Sequence, residues 1–98
     1  MASGLGRVAG VVASLITFLA TLVAIIFAMH IVFVVFGANP DNAVVVFVRD
    51  LAERLAFVFR DLFLPQDERV RVLVNYGLAA VVYLVVGRFV AGLVRRTR

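Results

Sequence analysis

The sequence predicts an all-α membrane protein in which two transmembrane helices form a hairpin with an amphipathic helix between them. Three observations lead to this fold class: a mean hydropathy of +1.11, two long apolar segments, and a charged segment of helical periodicity between them. A soluble chain of 98 residues has too little interior to hide a sequence that is 64% hydrophobic. Lipid is therefore expected to be part of its solvent, and residues 1–98 are expected to form a single membrane domain.

The first transmembrane helix is predicted over residues 8–36, which contain no ionised side chain. About 20 apolar residues span the hydrocarbon core of a bilayer, so this segment is long enough. A secretory signal peptide has an apolar region of only about 7–15 residues, so the segment is expected to be retained. Gly6, Gly10 and Ser14 are spaced four residues apart, which lets membrane helices approach closely, and they are candidate helix-packing residues.

A turn separates the first span from an amphipathic helix that is predicted over residues 40–63. Gly37 is suited to end the first helix, because glycine readily adopts the left-handed conformation found there. Asn39 is the predicted N-cap of the next helix, and Pro40 fits its first turn. Pro65 is expected to stop that helix, since the residue before a proline disfavours helical geometry.

The charges of this amphipathic helix fall on one side of a helical wheel and its aliphatic and aromatic residues on the other. The charges balance, whereas a helix that anchors itself on a bilayer surface is typically rich in cations. Three placements stay open: on the bilayer surface, against other protein, or lining a pore. Arg49–Glu53 and Asp50–Arg54 have the spacing of helical ion pairs. The candidate polar or inter-subunit face consists of Arg49, Asp50, Glu53, Arg54, Arg60 and Asp61.

The second transmembrane helix is predicted over residues 70–94, after a short polar connection. Gly77, Ala80 and Gly87 follow a helical stripe and would suit close packing against the first span. They complete the set of candidate helix-packing residues.

Three polar side chains interrupt the two spans and are candidate intramembrane sites: His30, Asn75 and Arg88. An ionisable residue within a membrane raises the hypothesis of a proton or ligand site. For His30 we favour a neutral packing role, which is the more common one for a single histidine near an interface. Asn75 is expected to form hydrogen bonds between helices, and Arg88 is expected to extend its side chain to the membrane surface.

The basic residues predict the orientation of the hairpin. All ten are arginines, and the net charge of +4 comes largely from the chain termini. The compact cluster Arg95, Arg96 and Arg98 directly follows the second span, so both termini are expected on the cytoplasmic side of a bacterial inner membrane. Nucleic-acid binding is not expected, because it would need a basic face on a folded soluble surface.

The chain offers little for catalysis. It has no cysteine and a single histidine, so no metal-ligand spacing is present, and its hydroxyl residues have no neighbouring base. Nucleotide-binding glycine loops are also absent. We therefore expect no enzyme activity, no catalytic, cofactor-binding or metal-binding residue, and no cofactor.

Two segments carry resemblances to known families. Residues 59–65 (FRDLFLP) together with residues 75–84 (NYGLAAVVYL) resemble a group of small actinobacterial membrane proteins of uncharacterised function. The Asn39-Pro40 start of an amphipathic segment between two spans is similar in layout to the YggT family. Neither resemblance implies a catalytic residue.

The layout favours a small membrane protein that self-associates into a homo-oligomer. The hypothesis for the role of this oligomer is a channel or pore. A carbonyl filter of the potassium-channel type is excluded, because no glycine occurs between Gly37 and Gly77. The first alternative is a non-catalytic accessory or scaffold subunit of a larger membrane complex. The second alternative is a holin-like lytic protein, which would share the small size and the basic tail.

Overall fold

The structure, a computed structural model, describes residues 2–96 and their side chains from residue 4 onward. Its elements are helix α1 (Ala2–Val35), helix α2 (Ala43–Ala56), a short 3₁₀ helix (Phe57–Asp61) and helix α3 (Glu68–Arg96). Residues 2–96 contain no strand, and a shorter helix lies between two long ones. The predicted fold class is confirmed. Arg98, from the predicted terminal basic cluster, lies outside the described residues.

Both long helices are long and apolar enough to cross a membrane, over Gly4–Val35 and Glu68–Arg96. Helix α1 contains all but the last residue of the span predicted at 8–36, and helix α3 contains the whole span predicted at 70–94. Helix α1 begins six residues earlier than predicted, and helix α3 extends two residues beyond the prediction at each end. Only 22% of the most apolar stretch of the first helix and 17% of that of the second is buried. The apolar side chains of both helices therefore face mainly outward, unlike those of a core helix in a soluble protein.

Helices α1 and α3 run antiparallel and form the body of the hairpin. Along α1 the buried residues Ala13, Ala20 and Phe27 recur every seven positions, as in a left-handed helix pair. The closest approach occurs where buried Gly87 of α3 faces α1. A Cβ atom at Gly87 would lie 2.5 Å from the Cβ of Ala20, so a side chain larger than hydrogen does not fit there without movement.

An aromatic cluster fills the hairpin nearer the connection between the spans. The ring of Phe27, fully buried, lies between those of Tyr76 and Tyr83, at centroid distances of 5.8 Å and 5.5 Å. Both pairs have the inclined geometry that aromatic rings prefer. The small side chains that let α2 and α3 approach this cluster are Ala52, Ala56 and Ala79.

Helix α1 ends at Val35 in a Schellman motif, in which Gly37 terminates the helix as predicted. Gly37 has a φ of +69°, in the left-handed region, and donates its N–H to the carbonyl of Val34 at 3.1 Å. The N–H of Ala38 donates to the carbonyl of Phe33 at 2.8 Å. These two bonds satisfy carbonyl groups that the end of a helix otherwise leaves unpaired.

The N-cap of α2 is Asn42, so the prediction that Asn39 caps a helix starting at Pro40 is wrong. The side chain of Asn42 accepts a hydrogen bond from the N–H of Val44 at 2.9 Å. Asn39 instead forms a turn: its carbonyl accepts from Asn42 N–H at 3.1 Å, and its side chain accepts from Asp41 N–H at 3.0 Å. Both asparagines are suitable N-cap residues, but the oxygens of Asn39 accept the hydrogen bonds of the turn around Pro40, so Asn42 is the cap.

The amphipathic segment is not one helix over residues 40–63, and that prediction is wrong as well. Helix α2 ends at Ala56, where Phe57 takes a φ of +53°, and a 3₁₀ helix follows. A positive φ is uncommon for a residue other than glycine. The segment from Ala56 to Leu64 contains no glycine or proline, so it holds no local sequence signal for this break.

Candidate functional site

The break after α2 is held by a hydroxyl group from α3. Tyr83 donates its O–H to the carbonyl of Leu55 at 2.6 Å. In a continuous α-helix this carbonyl would accept from the N–H of Phe59, four residues on. The tyrosine thus supplies the donor that the interrupted helix lacks. Sequence reasoning did not select Tyr83, although a phenol deep in an apolar span signals a need for a hydrogen-bond partner.

The segment after the break is fixed by Asn75, which the sequence marked as an intramembrane polar residue. Its side chain is fully buried. Its amide nitrogen donates to the carbonyls of Arg60 at 3.0 Å and Phe63 at 2.8 Å, and its oxygen accepts from the N–H of Phe63 at 2.9 Å. The asparagine therefore satisfies three backbone groups that no regular helix pairs. These bonds join α3 to the connection before it.

Helix α2 has a buried side, a half-buried side and an exposed side. Val48, Ala52 and Ala56 are buried against the hairpin. Next to them in the helical projection, Arg49 and Glu53 are half-buried. The candidate polar face is therefore divided, because its remaining members are exposed: Asp50, Arg54, Arg60 and Asp61.

A polar cavity of about 310 Å³ lies between the connection end of the hairpin, α2 and the 3₁₀ helix. An adjoining cavity of about 280 Å³ extends to the turn at Pro40 and shares four of its lining residues, including His30 and Arg49. Four of the six candidate face residues reach the larger cavity. Its lining consists of His30, Val34, Arg49, Glu53, Arg60, Asp61, Glu68, Arg71, Val72 and Tyr76.

The charged side chains around this cavity are paired differently from the sequence prediction. Arg49 and Arg60 each pair through Nε with the aspartate that follows, at 3.5 Å and 3.6 Å. Within residues 2–96, neither predicted pair, Arg49–Glu53 or Asp50–Arg54, comes within 4 Å, so that prediction is wrong. Arg71 donates through Nε to the carbonyl of Pro65 at 3.4 Å.

His30 lies at the boundary between the aromatic cluster and the polar cavity. The residue is buried, and its ring contacts that of Tyr76 edge to face at a centroid distance of 4.6 Å. It also lines both polar cavities. The packing role favoured for His30 and the possibility of contact with a ligand are both compatible with this position.

The candidate helix-packing residues have different surroundings. Gly87 lies at the α1–α3 interface, and Ala80 packs against the aromatic cluster. A Cβ at Gly10 or Gly77 would meet no atom of a neighbouring element within 4 Å. For Gly77 the expected close packing on the first span is therefore not formed. Gly6, Gly10 and Ser14 line an open groove near the chain ends.

The remaining candidate, Arg88, lies exposed on α3. Among residues 2–96 it forms no ion pair within 4 Å. The same described residues contain no group of three or more histidine, cysteine, aspartate or glutamate side chains that could hold a metal ion.

These features define the class of protein: an all-α chain in which two helices of membrane-spanning length are joined by a helix bordering a charged cavity. Comparison with protein-family models, curated proteins and solved structures finds no match.

Proposed function

We propose that this chain is a small integral membrane protein of the bacterial inner membrane that self-associates into a homo-oligomer. The observation that carries the proposal is a face of the hairpin with small residues that the described side chains, residues 4–96, leave open. Gly10 and Gly77 both leave space where a side chain would stand. In lipid, where apolar burial gives little drive for helix association, such positions are where helices approach one another.

The open face lies on the side of the hairpin away from α2. On α1 the residues that contact α2, the 3₁₀ helix or the polar cavity include Val23, His30 and Val34. Helical periodicity places Gly10 and Ser14 on the opposite flank. A second copy can therefore dock on this flank without displacing α2.

The proposed orientation has both chain ends in the cytoplasm. The two long helices are antiparallel, so their outer ends lie together, away from α2. Arg95 and Arg96 are exposed in the last turn of α3. Arginines immediately after a span favour the cytoplasmic side. The polar cavity would then face the opposite membrane surface.

A channel role is proposed only for the assembled form. In the described part of one chain, the hairpin interior is filled by fully buried side chains such as Ala13, Phe27 and Ala79. Any conducting path would therefore run between copies. Ion flux above background in proteoliposomes would support this role, and flux at background would limit the proposal to a non-conducting oligomer.

The oligomer is tested by native mass spectrometry of the full chain released from mild detergent. We expect one defined oligomer, and we expect Gly10→Leu to shift it toward monomer. Gly4→Leu is the matched control, because Gly4 also has no atom within 4 Å of its Cβ position and lies about 120° away around α1. A wild-type monomer would refute self-association and favour the accessory-subunit alternative.

A further inference from the structure

We propose that the polar cavity binds a zwitterionic phosphate ester carrying a primary ammonium group, in the form of an aminophospholipid head group. The phosphate would be held by the arginines of the cavity and the ammonium by its glutamates. This inference concerns a single chain and does not depend on self-association. It requires only that the hairpin crosses a membrane.

The charge composition of the cavity selects the ligand class. Its lining holds three guanidinium groups and three carboxylates. A purely anionic ligand would be repelled by the carboxylates, and a purely cationic ligand by the arginines. A ligand with both charges, held apart by a short linker, complements the two sets together. The groups concerned are Arg49, Arg60 and Arg71 with Glu53, Asp61 and Glu68.

The charged groups of the cavity also have unused bonding capacity. The side chain of each of the three arginines makes its single described polar contact through Nε. Within residues 2–96, the terminal guanidinium nitrogens have no hydrogen-bond partner in the protein. Glu53 and Glu68 likewise form no ion pair within 4 Å among these residues. Guanidinium groups bind phosphate oxygens through two parallel bonds, and an ammonium group supplies three donors for carboxylates.

The position of the cavity indicates that the ligand comes from the bilayer. It lies where α1 ends and α3 begins, at the connection end of both candidate spans. Large apolar side chains at this end are exposed, with Phe36 at 81% and Leu64 at 71%. Such side chains are compatible with a lipid environment next to the charged cavity. The volume of about 310 Å³ is at the lower end of the range of about 300–1,000 Å³ for small-ligand sites.

The wall of the cavity is held in place before any ligand binds. Asn75 fixes the backbone of Arg60, and Arg71 contacts the carbonyl of Pro65. A wall positioned by such bonds loses less conformational entropy on binding. The bonds of Asn75 and Arg71 thus connect the break after α2 to the proposed site.

The test measures lipids retained by each chain in native mass spectrometry, after titration with phosphatidylethanolamine, phosphatidylcholine or phosphatidylglycerol. We expect phosphatidylethanolamine to bind about tenfold more tightly than the other two, equivalent to about 1.4 kcal/mol. Phosphatidylcholine has no N–H donor for the glutamates, and phosphatidylglycerol has no ammonium group. Equal binding of the three lipids would overturn the proposal.

Substitutions localise the binding to the cavity. Arg49→Gln and Glu53→Gln should each reduce phosphatidylethanolamine binding about tenfold, a loss of about 1.4 kcal/mol. Arg54→Gln, on the outward side of the same helix, and Asp41→Asn, in the exposed turn, should leave it unchanged. Equal losses in all four variants, or a loss of all three lipids together, would contradict a specific head-group site.

A soluble ligand is distinguished by competition. Soluble phosphoethanolamine carries the same charged groups without acyl chains. We expect it to displace the lipid only weakly, because it lacks the apolar contacts. Displacement at the concentration at which the lipid itself binds would overturn the assignment of the site to a membrane lipid.

Discussion

Replacing Asn75 with alanine should destabilise the hairpin and release the connection between α2 and α3. The side chain is fully buried and makes three hydrogen bonds to the backbone of Arg60 and Phe63. A hydrogen bond of this kind contributes about 0.5–1.5 kcal/mol net, and a buried polar group left unpaired costs about 1–3 kcal/mol. Once the connection is released, water can replace some of the lost hydrogen bonds and lower the cost of the unpaired groups. We therefore expect a total loss of about 2–4 kcal/mol in the free energy of unfolding.

Two measurements check this loss. Unfolding by titration of sodium dodecyl sulfate into mild-detergent micelles measures the change in unfolding free energy. Amide hydrogen exchange reports the bond itself, because Asn75 is the acceptor for the N–H of Phe63. We expect protection of that amide to fall in Asn75→Ala. A change in unfolding free energy below about 0.5 kcal/mol, with unchanged protection, would refute the role assigned to Asn75.

The two tyrosines of the aromatic cluster provide a matched comparison for the same break. Tyr83→Phe removes the bond to Leu55 and keeps the ring beside Phe27, so a loss of about 1 kcal/mol is expected. Tyr76→Phe should change stability by less than about 0.5 kcal/mol, since the described contacts of Tyr76 within residues 2–96 are made by its ring, which the substitution keeps. The same detergent titration measures both variants. Equal effects of the two substitutions would contradict the assigned bond.

The remaining predictions concern the interface of the hairpin and the start of α2, and both are measured by the same titration. Gly87→Ala should cost about 1–3 kcal/mol by overpacking, because its Cβ would meet Ala20, and adding Ala20→Gly should recover part of the loss. Gly77→Ala, where nothing lies within 4 Å, is the control, and an equal cost there would contradict the close approach. Asn42→Ala should cost about 1 kcal/mol as the loss of an N-cap. A larger effect at Asn39 would reverse the assignment of the cap.

The features that could be predicted from the sequence depend on local signals. The two helices of membrane-spanning length follow from long apolar segments, since length and composition alone decide whether a helix can cross a bilayer. The end of α1 follows from Gly37, because a left-handed backbone conformation favours glycine at that position. Each of these signals is contained within one segment of the chain.

The break in the amphipathic segment could not be predicted, because the contacts that cause it are distant in sequence. Tyr83 lies 28 residues from Leu55, and Asn75 lies 15 residues from Arg60. The residues around Phe57 contain no glycine or proline that would signal an interruption. Tertiary hydrogen bonds here override a local helical pattern.

Only part of the candidate site could be predicted, because the rest also depends on contacts between residues that are distant in sequence. Periodicity identified the charged side of α2, which includes Arg49 and Glu53. It did not separate these two from the exposed Asp50 and Arg54, because that division depends on where the hairpin lies. The rest of the cavity wall comes from the 3₁₀ helix and α3, including Arg71, and only the folded chain brings them together.

The proposed self-association is tested most directly by disulfide cross-linking in bacterial membranes, since the chain contains no cysteine of its own. Ser14→Cys replaces an exposed residue on the open flank near Gly10. Val12→Cys is the control at the same depth, about 160° away around α1. Cross-linked dimers from Ser14→Cys and none from Val12→Cys are the predicted result. No dimer from Ser14→Cys, or equal dimer from both variants, would contradict self-association through this face.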